Sequence, residues 1–166
     1  EANEITVKTD KLVFRINKRG GIVTSVGLKS FPNTLSNPEP FTLFHVLPKH
    51  VYTAHSGFEG EDQLVFDAGE STYRMKDGKD TLTVALRAVA QSGLAYQKFF
   101  VFTRGSYHVK VLSEVQNISE KTQKTGAHVS RLQLTQTFDS GEKKPEFTID
   151  PDQPKPGWFT FSTFTG

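Results

Sequence analysis

The run YQKFFVFTRGSYHVKVLSEVQN, Tyr96 to Asn117, constrains the fold more than any other stretch of this chain. Its first arm, Tyr96 to Thr103, is aromatic and β-branched almost throughout. Such side chains suit a pleated, buried surface better than a helix. The second arm alternates: Tyr107, Val109, Val111, Ser113 and Val115 fall on one side, and His108, Lys110, Leu112, Glu114 and Gln116 on the other. A period of two is what a strand with one buried face requires. Arg104, Gly105 and Ser106 separate the arms, and a glycine takes positive φ without steric cost, so the chain can reverse there. The run reads as a long antiparallel hairpin, its first arm buried on both faces and its second wet on one. Phe99, Val101, Tyr107, Val109, Val111 and Val115 are expected to lie mainly in the core.

The rest of the chain repeats this grammar. Ile5 to Thr9 and Leu12 to Asn17 alternate as strands, broken at Asp10 and Lys11. Arg19-Gly20-Gly21 is a turn signal, and Ile22 to Leu28 returns, so Leu12 to Leu28 is a second predicted hairpin with positive φ at Gly20 or Gly21. Pro32 to Pro40 holds three prolines and reads as a loop. Short strands are expected at Phe41 to Leu47, Val51 to Ala54, Gln63 to Asp67 and Ser71 to Lys76, with a turn at Gly57 to Gly60. Asp77-Gly78 predicts a hairpin turn into Thr81 to Ala90. After a polar loop from Ile118, His128 to Phe138 alternates again. Phe147 to Ile149 and Trp158 to Phe164 are further candidate strands, separated by a segment with too many prolines for a central strand. No long segment has a period of 3.6 residues. Many short strands punctuated by turns make an all-β sandwich or barrel the expected class.

At 166 residues the chain suits one domain, 1–166, long enough to bury about 70% of its unfolded surface. Charged residues at 23% and hydrophobic residues at 36% describe a globular protein and not a disordered one. Fourteen phenylalanines against one tryptophan suggest a core of packed Phe rings between sheets. A net charge of +2 gives no electrostatic reason to expect nucleic acid as a partner. The absence of cysteine excludes disulfides and thiolate metal sites. No apolar run approaches the ~20 residues of a membrane span. The chain opens at Glu1 with neither an initiator methionine nor a signal peptide, and reads as a piece of something longer.

Chemistry-bearing patterns are sparse. His45, His50 and His55 are spaced by five, which places them on no common strand or helix face, and no HExxH occurs. His108 and His128 fall on separate predicted strands. A histidine paired with Glu114 or Glu61 would suit acid–base work, but no spacing selects such a pair. There is no GxSxG, GxGxxG or GxxxxGK[ST]. Asn117-Ile118-Ser119 fits the glycosylation acceptor pattern, a three-residue match close to background. The residues alone thus imply an all-β binding or structural domain with no catalytic residue, metal ligand or cofactor.

Three segments carry a more specific resemblance. ITVKTDKLVFRINKRGGIVTSVGLKSFP, Ile5 to Pro32, resembles the start of the large periplasmic domain of YidC, the bacterial membrane protein insertase, with Val7, Thr9, Asp10, Gly20, Gly21, Leu28 and Phe31 at the family's positions. The central hairpin is similar to the same family's K-x-F-x-x-x-RG-x-Y-x-V-x-V run, through Lys98, Phe100, Arg104, Gly105, Tyr107, Val109, Val111, Val115 and Asn117. Between them, YTAHSGFEG at Tyr52 to Gly60 resembles a family YxAxSGxxG segment.

The resemblance implies an antiparallel β-supersandwich similar to galactose mutarotase and carbohydrate-binding folds. It implies a place on the periplasmic side of the inner membrane of Gram-negative bacteria, with the chain ending before the helical segment that joins the domain to the membrane core. It implies a non-catalytic role beside the Sec translocon, with SecF as a contact, SecD and SecYEG as further ones, and nascent membrane proteins as clients. The alternative is a small-ligand or carbohydrate-binding module with a mutarotase-like cleft. For partner binding, the exposed alternates of the hairpin (His108, Lys110 and Glu114) and the following loop (Glu120 and Lys121) are the candidates.

Overall fold

The computed structural model describes residues 3–34 and 37–136. Twelve strands occur among them: β1 (Glu4–Lys8), β2 (Leu12–Asn17), β3 (Ile22–Thr34), β4 (Asn37–Thr42), β5 (His45–Val46), β6 (His50–Phe58), β7 (Asp67–Ala68), β8 (Thr72–Arg74), β9 (Thr81–Val89), β10 (Leu94–Thr103), β11 (Val109–Asn117) and β12 (His128–Gln136). Among the described residues the single helical element is a 3-10 turn at Glu61–Gln63. One sheet runs β12-β6-β3-β2-β1-β8, with β4 added to β3 and β5 to β6; the other runs β11-β10-β9-β7. The expected all-β sandwich is therefore the fold. All pairings are antiparallel except that of β1 with β8.

Both predicted hairpins form. Leu12 pairs with Leu28 across β2 and β3, and Phe100 pairs with Val111 across β10 and β11. The reversals need left-handed backbone, which Gly20 (φ 72°), Gly21 (φ 59°) and Gly105 (φ 75°) supply. Apolar side chains from both sheets meet in one core that includes Ile5, Val7, Phe14, Ile16, Val84, Leu86, Phe100 and Phe102. The Phe14 ring packs edge-on against Phe102 at 5.2 Å between centroids, and at 6.0 Å from Phe100.

The structure corrects several expectations. In β10 the fully buried face is Tyr96, Lys98, Phe100 and Phe102, whereas Phe99 and Val101 lie half-buried on the other face. Both faces of this strand are apolar, so alternation of residue type does not reveal which one meets the opposite sheet. Tyr107 is exposed ahead of β11, stacked near Phe31, and Val109, Val111 and Val115 are half-buried against the core margin. Pro32 is not in a loop: β3 runs through it, and it stands opposite Pro40 of β4. Proline is tolerated there because β4 is an added edge strand with irregular register. The expected strand over Gln63 to Asp67 does not form: these residues link the 3-10 turn to β7, with Val65 in an isolated bridge to Arg19. Asp77-Gly78 does turn, with Gly78 at φ 74°, but it joins β8 of one sheet to β9 of the other, so it is a crossover and not a hairpin. The candidate strands Phe147 to Ile149 and Trp158 to Phe164 lie outside the described residues.

Candidate functional site

Lys98 stands where β10 should present an apolar side chain. Its neighbours on the buried face are Tyr96 and Phe100, and it is itself wholly buried. An ammonium at that depth requires a counter-charge and hydrogen-bond acceptors. Glu61 provides the first: Lys98 Nζ lies 2.8 Å from Glu61 Oε2, both side chains being essentially inaccessible. Lys98 Nζ also donates to the carbonyl of Gly20 at 3.1 Å and lies 5.2 Å from the centre of the Phe66 ring. Glu61 is fixed in turn, because its Oε1 accepts the Phe58 N–H at 2.9 Å. The pair joins the sheets, since Lys98 belongs to β10 while Gly20 and Glu61 belong to the β2–β3 turn and the segment after β6.

Two glycines make room for it, and a third turns the chain toward it. A Cβ at Gly57 would sit 2.2 Å from Glu61 Oε2 and 2.9 Å from Lys98 Nζ. One at Gly21 would meet the Lys98 stem at 3.1 Å, besides requiring left-handed backbone. Gly60, at φ 88°, turns the chain out of β6 so that Glu61 can point back inward. Burial lowers the Lys98 pKa below its ordinary 10.5, with the hydrogen bond and charge of Glu61 pulling the other way.

Beside this pair a cleft of about 270 Å³ opens between the sheets, lined by Val23, His55, Phe100, Val111, Arg131 and their neighbours. His55 and Arg131 are directly opposite on β6 and β12, so they share one face of the sheet. Ser113, two residues from Val111 on the same face of β11, is the cross-strand partner of Lys98. Three buried side-chain atoms have no hydrogen-bond partner among the described residues: Glu61 Oε2, which is held instead by the ion pair with Lys98, His55 Nε2 in the cleft lining, and Ser113 Oγ on β11. The His55 pKa is lowered, first by burial and next by the Lys98 charge; Glu61 opposes, Arg131 adds to the lowering and Asp62 opposes again.

The motif residues away from the cleft hold turns together. Thr9 Oγ1 accepts the N–H groups of Lys11 and Leu12 at 3.1 and 2.9 Å, forming the β1–β2 turn. Asp10 Oδ2 accepts the Gly105 N–H at 2.8 Å, tying that turn to the β10–β11 turn. Arg104 donates to the carbonyls of Lys79 and Lys76 at 2.9 and 2.7 Å. Asn117 Oδ1 accepts from Ser119, and Asn117 Nδ2 donates to the Lys121 carbonyl. Residues 4–162 match the family model of the YidC periplasmic domain. The chain belongs to that family. In this YidC-type domain, Thr9, Asp10, Gly20, Gly21, Gly57, Lys98, Arg104, Gly105 and Asn117 thus serve the scaffold: they make the turns, the inter-sheet tie and the buried ion pair. No helix among the described residues is long and apolar enough to cross a membrane.

His108, Lys110 and Glu114 are exposed on or just before β11, the terminal strand of its sheet among the described residues, and Glu120 and Lys121 are exposed in the loop that follows. Of the five histidines only His55 lines the cleft; His128 packs edge-on against Phe58 at 5.4 Å. Among the described residues no three histidine or carboxylate side chains converge as metal ligands. Sequence reasoning named Glu61 as a possible partner for histidine, whereas its partner is Lys98. The available signal was the lysine itself, a lone cation on an otherwise apolar strand face.

Proposed function

We propose that this domain acts without catalysis, through protein contacts made by a YidC-type insertase as inner-membrane proteins are inserted and folded beside the Sec translocon. Membership of the YidC periplasmic domain family carries the reading. The chemistry of the cleft is consistent with it. A mutarotase-like reaction needs an imidazole and a free carboxylate on one substrate, and here Glu61 is engaged by Lys98 and by the Phe58 N–H. The contact surface we propose is the outer face of β11 with the following loop: His108, Lys110 and Glu114, continued by Glu120 and Lys121. Exposed Leu112 lies within it, giving a small apolar centre with a charged rim. SecF is the proposed partner on the translocon, with SecD, SecYEG and nascent chains as further contacts.

The test places a photocrosslinking residue at Lys110, Glu114 or Lys121 in the full-length insertase in inner membranes. Capture of SecF from these sites, and not from the opposite edge at Thr72, is the expected result. Failure to capture any translocon subunit or nascent chain from any surface position overturns the interaction reading. Polarimetry of aldose anomers with the purified protein checks the other half; turnover abolished by His55→Gln would establish an enzyme.

A further inference from the structure

We propose that the cleft between β6, β12, β10 and β11 is a binding site for a small ligand that joins a carboxylate to an apolar body. The inference is independent of the interaction surface on β11, which uses the other face of that strand. Unpartnered buried polar atoms are rare in native proteins, and each costs about 1–3 kcal/mol when left unmade. His55 Nε2 is such an atom, on a residue that lines the cleft.

The charges around that space select the sign of the ligand. Lys98 and Glu61 neutralise each other beneath the cleft. Arg131, at its wall, is exposed and makes no ion pair or hydrogen bond among the described residues. Arg131 stands directly opposite His55 across β6 and β12, so the nearest unpaired charge at the cleft is a cation, which an anion would neutralise. Arg131 is suited to a carboxylate because its planar fork matches the two oxygens. A neutral His55 with its proton on Nε2 would donate to the same group.

The remaining wall is mostly apolar, its polar members Ser56 and Ser130 being hydrogen-bonded to each other. Val23, Phe100, Val111 and Leu132 line it. A volume of 270 Å³ is near the lower end of ligand pockets, about 300–1,000 Å³, so the apolar body is short. A bare inorganic anion would leave this wall uncovered, and a sugar would place hydroxyls against valine and phenylalanine.

The experiment uses the whole chain, with hexanoate, its neutral counterpart hexanamide, and a tripeptide with an apolar free C-terminus beside its amidated form. Binding is followed by NMR of the His55 imidazole. Hexanoate or the tripeptide acid should saturate at roughly millimolar concentration, about −4 kcal/mol, and should raise the His55 pKa. Whichever of the two binds tighter identifies the source of the carboxylate as a free acid or a chain end. The amides should bind at least about tenfold more weakly, and Arg131→Gln should weaken the acids by a similar factor. Val111→Phe fills the cleft and should abolish binding while the protein keeps its cooperative melt. Absence of a saturable shift by either acid, equal binding of acid and amide, or undiminished binding in Arg131→Gln would each overturn the proposal. Binding retained in a folded Val111→Phe protein would place the ligand elsewhere and do the same.

Discussion

Replacing Glu61 by Gln probes the buried pair most directly. The substitution keeps the size of the side chain and an acceptor for the Phe58 N–H, but removes the counter-charge 2.8 Å from Lys98 Nζ. The ammonium would retain only the Gly20 carbonyl and the Phe66 ring, with no access to water. Breaking a buried pair from one side costs about 3–5 kcal/mol. A second route gives a similar ceiling: Lys98 can escape the penalty by losing its proton, and neutralising a lysine of ordinary pKa near 10.4 costs about 4.6 kcal/mol at pH 7. The escape makes the loss depend on pH. Burial already depresses the folded pKa of Lys98, and without Glu61 it falls further. Between a depressed folded pKa and the ordinary value the unfolded chain holds the extra proton, so stability rises with pH across that window. The variant enters its window at lower pH than the parent, and its deficit should shrink by up to about 1.4 kcal/mol per pH unit until the parent's own window begins. Urea melts followed by circular dichroism between pH 6 and 10 measure this. Adding Lys98→Met to Glu61→Gln removes both charges and should recover about 2 kcal/mol or more of the loss. A deficit below about 1 kcal/mol at pH 7, or one that stays constant over this pH range, would show that the pair is not buried as described.

Phe100→Ala should destabilise by about 3–5 kcal/mol and Phe99→Ala by less than about half of that, because only Phe100 lies on the buried face of β10. Equal losses in urea melts would show that the face assignment is wrong. Gly57→Ala should cost about 1–3 kcal/mol, since the new methyl would overlap the Glu61 carboxylate; a neutral melt would mean that the pair relaxes freely. The lowered pKa of His55 predicts acid sensitivity. Above pH 6.5 the group is neutral folded and unfolded, and as pH falls through the window below 6.5 the unfolded chain takes up the proton first, so stability declines. His55→Gln should flatten that part of the stability profile, and an unchanged slope would remove His55 as its source.

How much of the fold was legible depended on whether the deciding interaction was local. Gly105 and the Gly20-Gly21 pair announced their turns because positive φ is a property of the residue and its immediate neighbours. Asp77-Gly78 announced a turn as well, but not its topology: whether the strands beside a turn pair depends on their partners elsewhere, and β8 finds β1. Pro32 illustrates the converse. It lacks a donor in any setting, yet opposite Pro40 on an irregular edge ladder that deficit does not end the strand.

The candidate site escaped sequence reasoning for the same physical reason. Binary patterning assigns lysine to water, and with both faces of β10 otherwise apolar nothing within the strand marks the face of Lys98, Phe100 and Phe102 as the buried one. The burial of Lys98 is stable only because Glu61 and Gly57, far away in the chain, provide a charge and a void. No periodicity within one strand encodes that dependence. Cleft-lining His55, similarly, belongs to no spacing pattern; it becomes distinct only when β12 lays Arg131 opposite it and β10 brings Lys98 beneath. A family motif can nevertheless contain Lys98, Gly57 and Gly21 together, because each is unusable without the others: the ammonium needs the carboxylate, and the two side chains occupy the space that a Cβ at either glycine would require.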